Sequence, residues 1–185
     1  MQQFIGLEPI LLEAQRVGAL TEVPIAEIIE HALWFSRAIP DTVERIVDLG
    51  SGAGVPGLIV ALDRPNLEVV LVDRRSGRTD SLNRAVSALQ IQTRVKVVCA
   101  EINSLTDDPN WAKSFDAAIS RGLGPVAETL IMSKKLTKDG GVVVVSEPPV
   151  EAGSRWNQTQ VESLGLSGPD RVGAVAVFHV KHLGQ

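Results

Sequence analysis

Only one cysteine, Cys99, occurs among 185 residues, so no internal disulfide can form and a reducing, cytoplasmic setting is expected. No apolar run approaches the ~18 residues that a membrane-spanning helix needs. Residues 1–6 carry neither a basic stretch nor a long apolar run, so no secretory leader is read there. The sixteen glycines and ten prolines follow no period, which excludes collagen-like and solenoid repeats. Several catalytic signatures are also missing: a Gly-x-Ser-x-Gly elbow, a His-Glu-x-x-His zinc helix, a P-loop Gly-Lys-Ser/Thr and paired cysteines. His31, His179 and His182 lie far apart in the chain, so they read as structural and no metal is expected. Cys99 reads as a buried strand thiol rather than a nucleophile.

Apolar residues make up 44% and charged residues 22%, the balance of an ordinary globular chain. The length suits one domain on a prior of ~100–200 residues. The net charge of −4 is unevenly placed. Residues 1–47 hold seven acids against three bases, and the remainder is balanced. Within 74–96, Arg74, Arg75, Arg78, Arg84, Arg94 and Lys96 are opposed only by Asp80. An acidic chain is no indiscriminate nucleic-acid binder, but a local basic patch is compatible with this distribution.

Residues 4–40 have the three- and four-residue apolar spacing of helices: Ile10, Leu11, Ala14, Val17, then Ile25, Ile28, Ile29, Leu33. A break at Thr21 before Pro24 divides them into two, and Pro40-Asp41 ends the second. From residue 44 short β-branched runs (46–47, 67–72, 95–99, 115–120, 142–145 and 174–180) alternate with helical patterns near 55–63, 77–90, 124–136 and 156–164. This alternation predicts an α/β fold with a mostly parallel sheet and helices on both faces. Residues 1–43 form a short N-terminal helical extension and 44–185 the main domain. Ligands of such sheets sit at the carboxyl ends of the strands.

The first of those ends reads Asp48-Leu49-Gly50-Ser51-Gly52-Ala53-Gly54-Val55-Pro56-Gly57. Glycines at alternate positions let the backbone turn tightly and approach a ligand closely. The Gly52-x-Gly54-x-x-Gly57 spacing also fits a dinucleotide fingerprint. Asp48 separates the two ligands. A carboxylate two residues before the first glycine repels a pyrophosphate but suits an ammonium group, which favours S-adenosyl-L-methionine over NAD. Asp73, ending the second run, is placed to accept hydrogen bonds from both ribose hydroxyls, or else to cap the next helix. Ala100 and Glu101, after the third run, are placed to border an adenine ring. Arg121 follows the fourth run, where a methyl acceptor would face the cofactor; it equally suits a surface pair with Glu101 or Glu147.

The 48–57 turn matches letter for letter the Asp-Leu-Gly-Ser-Gly-Ala-Gly-x-Pro-Gly signature of the small-subunit ribosomal RNA methyltransferase G (GidB) family, which this sequence resembles. Cys99-Ala100-Glu101 is similar to the family's Arg-Ala-Glu and Ser120-Arg121-Gly122 to its Ser-Arg-Ala. Upstream, Ala19-Leu20-Thr21 resembles a family Asn-Leu-Thr, and the stretch from Glu30-His31 to Phe35 resembles Arg-His-x-x-Asp-Ser. The likeness covers roughly residues 17–147, and the stretch from Val145 to Pro149 with Arg155-Trp156 resembles a shorter actinobacterial branch. The resemblance implies a class I methyltransferase (Rossmann-like) fold with a mostly parallel seven-stranded sheet. It also implies methyl transfer from S-adenosyl-L-methionine to guanine N7 in small-subunit rRNA, with the RNA or the ribosomal subunit as partner. Gly50, Val55, Ala100, Glu101 and Arg121 correspond to the family's cofactor contacts. With Asp48, Gly52 and Asp73 from the turn and the second strand, they make up the expected cofactor site.

The sequence departs from the family where Lys-Arg-x-x-Phe-Leu becomes Gly77-Arg78-Thr79-Asp80-Ser81-Leu82, with the loss of a cation and an aromatic. Guanine N7 carries a free lone pair, so attack on the methyl needs no base, and no catalytic acid or base is assigned. Arg74, Arg75, Arg78 and Arg84 form either a phosphate-facing surface or a solvated helix face. With aromatics at 4% and no tyrosine, Trp34 and Phe35 are the candidates for a lid over a flipped base, unless they are core. Two other readings share the cofactor site: a small-molecule methyltransferase, and a non-catalytic cofactor-binding module in ribosome assembly. The oligomeric state stays open.

Overall fold

Residues 2–152 and 155–182 are described by the computed structural model of the protein. The outermost residues of the two expected regions, 1 and 183–185, lie outside the described residues. Two helices, α1 (Glu8–Arg16) and α2 (Ile25–Ala38), come first. There follow β1 (Arg45–Leu49), α3 (Gly57–Asp63), β2 (Glu68–Asp73), α4 (Ser76–Ala88), β3 (Val95–Cys99), α5 (Ile102–Thr106) and β4 (Phe115–Ser120). The chain ends with α6 (Val126–Leu136), β5 (Thr137–Ser146), α7 (Gln158–Ser163), β6 (Leu166–Val172) and β7 (Val175–Val180).

The seven strands form one sheet in the order β3-β2-β1-β4-β5-β7-β6. Pairing is parallel from β3 through to β5. It is antiparallel where β7 meets β5 and β6, so the sheet is mixed. From β1 the chain builds outward to β3 and then returns to the other side of β1 at β4. That reversal opens a crevice above the ends of β1 and β4, where open α/β sheets bind ligands.

Alternation along the strands divides the core in two. Ile46, Val69, Leu71, Ala117 and Ile119 face α1 to α4. Val47, Leu49, Val70, Val72 and Ala118 face the opposite way, onto Leu105 of α5 and Leu136 of α6. The outer part of that second face packs α7 through Val161 against Val143, Val145 and Phe178. Buried on both faces, Val142–Val145 loses the polar alternation of a half-exposed strand. Each such side chain contributes ~1.5–3 kcal/mol of transfer free energy. α1 and α2 share the first core with α3 and α4 through Leu7, Leu11, Ile28, Ala32 and Phe35. Between them, the Gln15 amide donates to the carbonyls of Thr21 and Val23, both at 2.7 Å, and pins the linker.

One strand has no counterpart in the sequence pattern, one expectation needs correcting, and one open alternative is decided. β6 carries Gly168-Pro169 and a register shift between Ser167 and Asp170, features tolerated at a sheet edge but invisible to a β-branched pattern. Cys99 is exposed rather than buried, because β3 is the opposite edge strand. Trp34 and Phe35 form no lid. Phe35 is fully buried in the first core, and Trp34 stacks under Arg37 at 4.6 Å against the β6–β7 turn at Gly173. Among the described residues no helix is long and apolar enough to cross a membrane.

Candidate functional site

The glycine turn leaves β1 at the crevice. Gly50, Gly52 and Gly54 all have positive φ, at 71°, 55° and 89°. Gly50 also lines the cleft, and a Cβ there would sit 2.6 Å from Leu123, so the slot between turn and β4 loop depends on its absence. Gly57 starts α3 directly over the strand, and a Cβ there would strike Leu71 and lie 2.5 Å from Asp48 Oδ2.

Asp48 lies beneath this turn and is only 1% exposed. Its parity on β1 is that of Ile46, so the carboxylate points into the α3 layer. Oδ2 accepts the Gly57 N–H at 3.1 Å, and Oδ1 is buried with no hydrogen-bond partner among the described residues. Burial pushes the carboxyl up to about 7, against the pull of donors from Ser51 and Gly57 and of the Arg121 charge. Asp48 lines none of the cavities around the turn. The same is true of Val55, whose side chain joins the first core.

Asp73 is the second buried acid, 5% exposed. Its Oδ2 accepts the Gly52 N–H at 3.0 Å and its Oδ1 the Arg75 N–H at 2.9 Å. Each carboxylate oxygen has two acceptor sites, so Oδ2 keeps one for a ligand and Oδ1 keeps one that the Arg75 guanidinium also faces at 3.6 Å. A cleft of about 380 Å³ brings together Gly50, Asp73, Ala100 and Glu101, with Leu123 and Met132 closing it from the β4 and α6 side. Glu101 pairs with Arg74 at 3.6 Å, and the Ala100 N–H donates to the Asp73 carbonyl at 3.2 Å. Four residues expected at three strand ends thus meet in one slot, and Gly52 is tied to it through Asp73.

Arg121 falls in a neighbouring cavity of about 540 Å³, with Thr21, His31, Ser146, Glu147 and Arg155. It pairs with neither acid considered for it. Glu147 is held by Arg155 at 3.1 Å and Arg171 at 3.8 Å, and Glu101 by Arg74. Arg121 is half-buried, and burial pulls its pKa below the usual arginine range. Among the described residues no carboxylate lies within ion-pair distance of it, and the charge of Asp48 only partly opposes the burial. A partly desolvated cation costs free energy unless a ligand completes its compensation. Burial first, and then the Arg121 charge, lower the His31 pKa, which favours a neutral ring there. The Nδ1 of His31 has no partner among the described residues.

The sequence reading did not single out Leu123, Met132 or Gln15. Nor did it foresee the bracing of Arg155 and Arg171 by Glu147; these contacts depend on how loops cross above the sheet, which periodicity does not record. The arginine stretch is divided by the fold. Arg74 belongs to the slot, Arg78 and Arg84 lie along α4 away from it, and Arg75 borders both.

A family model, rRNA small subunit methyltransferase G, matches residues 7–151. The chain belongs to this family. Among curated members, the Ribosomal RNA small subunit methyltransferase G of Nostoc punctiforme is 27% identical over 89% of this chain and 68% of its own length. The corresponding protein of Moorella thermoacetica is 29% identical, over 63% of this chain but 48% of its own length. The chain therefore spans about half to two thirds of these family members. Solved structures share the class I methyltransferase fold. S-adenosylmethionine-dependent methyltransferase SibL superposes with a TM-score of 0.60 at 17% identity, over 76% of this chain and 51% of that one. A methyltransferase from Thiobacillus denitrificans in complex with S-adenosyl-L-homocysteine gives 0.53 at 22% identity, over 71% and 61%.

Proposed function

We propose that this chain transfers a methyl group from S-adenosyl-L-methionine to N7 of a guanine in small-subunit rRNA. The observation that carries the reading is the convergence of Gly50, Asp73, Ala100 and Glu101 on one slot beside the half-buried Arg121. The residues present fit the cofactor. Asp73 has acceptor capacity left for two ribose hydroxyls, Leu123 and Met132 offer an apolar wall for adenine, and Glu101 borders the ring. Gly50 and Gly52 allow close backbone approach. Asp48 acts from below, holding the start of α3 through Gly57 and bringing negative charge beneath the glycine turn when ionised. Val55 contributes through the core that supports the turn.

Bound S-adenosyl-L-methionine supplies an activated methyl on a sulfonium. Guanine N7 is already nucleophilic, so the residues act by alignment, which can contribute ~7–11 kcal/mol. Arg121 sits where β4 ends, between slot and cavity, and orients the acceptor or the cofactor's methionine end with its guanidinium donors. It transfers no proton. In the extension expected over residues 1–43, α1, α2 and their linker wall the two neighbouring cavities, and the main domain from residue 44 onward supplies the donor slot. The natural setting is the cytoplasm, with rRNA or the ribosomal subunit as partner.

Incubation with isolated ribosomal subunits lacking the modification and radiolabelled donor tests this reading. Label in 7-methylguanosine of the small-subunit rRNA is expected. Label in a small molecule alone, or no transfer at all, would overturn it.

A further inference from the structure

Outside the donor slot, a cavity of about 670 Å³ runs between α1 and α4. Its floor is apolar, built from Ile10, Ala14 and Val17 on one side and Leu82 and Ala85 on the other. One wall is cationic. Arg75, Arg78 and Arg84 all line the groove; Arg75 and Arg78, three residues apart, are neighbours at the start of α4, and Arg84 reaches the groove from farther along the helix. Glu13 is the single carboxylate in the lining, and it is already paired with Arg16 at 2.6 Å. Among the described residues Arg78 and Arg84 form no ion pair, while Arg75 lies 3.6 Å from Asp73. The groove ends at Gly52 and Ala53, inside the glycine turn.

An apolar floor beside a row of arginines matches a flexible polyanion with flat apolar faces. Guanidinium groups meet phosphates, and unstacked bases lie on the aliphatic floor. A regular duplex hides its base faces and would leave that floor unused. We propose that the α1–α4 groove binds a single-stranded segment of RNA adjoining the nucleotide presented to the donor slot. The proposal rests on the reading that RNA is the acceptor, and it assigns to α1 and α4 the part of substrate affinity that lies away from the reacting base.

Fluorescence anisotropy with a labelled single-stranded RNA of about 12 nucleotides, in the presence of S-adenosyl-L-homocysteine, tests it on the full chain. The double variant Arg78→Gln/Arg84→Gln should weaken binding about tenfold at low salt and reduce the slope of log K against log salt by about 1.4. Val17→Asp, at a position 59% exposed, puts a carboxylate into the groove and should weaken binding while the melting temperature holds. Affinity for S-adenosyl-L-homocysteine should be unchanged in both. The proposal is overturned if the variants bind the strand like wild type, if wild type does not bind it, or if a duplex of the same sequence binds equally well. Displacement of the strand by an acidic amphipathic peptide at a lower concentration than by unlabelled RNA would overturn it in favour of a protein-docking groove. Methyl transfer by wild type is read separately. Failure of transfer with arginine-dependent binding intact sinks the functional reading alone, and normal transfer with indifferent variants sinks the groove alone.

Discussion

Asp73→Asn offers the sharpest test of how the donor slot is built. The carboxylate now accepts two backbone N–H groups, one per oxygen, and keeps one acceptor site on each for a ribose hydroxyl. An asparagine of the same shape has one oxygen and one NH₂ group. Whichever way the amide is turned, either Gly52 N–H or Arg75 N–H faces another donor. That orphaned group costs ~1–3 kcal/mol of stability, or about 2–4 °C in melting temperature per kcal/mol for a chain of this size. One ribose hydroxyl loses a charge-assisted acceptor, worth ~1.5–3 kcal/mol, so the dissociation constant of S-adenosyl-L-homocysteine should rise about ten- to a hundredfold. Calorimetry reads the second effect and thermal denaturation the first. A variant with unchanged affinity and unchanged melting temperature would refute the assignment of Asp73 to both tasks.

The buried Asp48 makes a pH prediction. Its folded-state pKa of about 7 lies above the ordinary value near ~3.9, so the folded state binds more protons across that interval. Stability therefore falls as pH rises from about 4 to about 7 and is flat above, by at most about 4 kcal/mol from this group. Asp48→Asn should remove that slope in denaturant titrations, and a variant that keeps it would contradict the burial argument. Gly57→Ala forces a methyl against Leu71 and Asp48. It should cost ~1–3 kcal/mol by overpacking, and an unshifted denaturation midpoint would count against the close approach. Arg121→Leu removes a half-buried cation that, among the described residues, has no carboxylate within ion-pair distance and feels only the charge of Asp48, so stability should change little while transfer to rRNA falls about a hundredfold through lost alignment. Full transfer by that variant would exclude the orienting role.

The legible part of this fold was the part with repeating physics. Buried parallel strands show as continuous valine runs, amphipathic helices as three- and four-residue spacing, and the turn as glycines where the chain must reverse over a ligand. β6 escaped because an edge strand with Gly168-Pro169 and a register shift has neither alternation nor a buried run. Cys99 misled because a β-branched run signals a strand without saying whether it lies at the centre or the edge. Among the site residues, Gly50, Asp73, Ala100 and Glu101 converge because each ends or follows a strand at the same edge of the sheet. Asp48 and Val55 sit in the same stretch of sequence yet point into the core, since side-chain parity on β1 and the start of α3 turn them inward. The groove between α1 and α4 was not foreseen, because it depends on where an N-terminal helix docks.

The central claim is that the slot at the glycine turn recognises a sulfonium nucleoside rather than a pyrophosphate coenzyme. Titrating the protein with S-adenosyl-L-methionine and, separately, with NAD decides it most directly. Saturable binding of the first, weakened by Asp73→Asn, with no heat from the second is the expected result. Binding of NAD with none of S-adenosyl-L-methionine would contradict the account at its base.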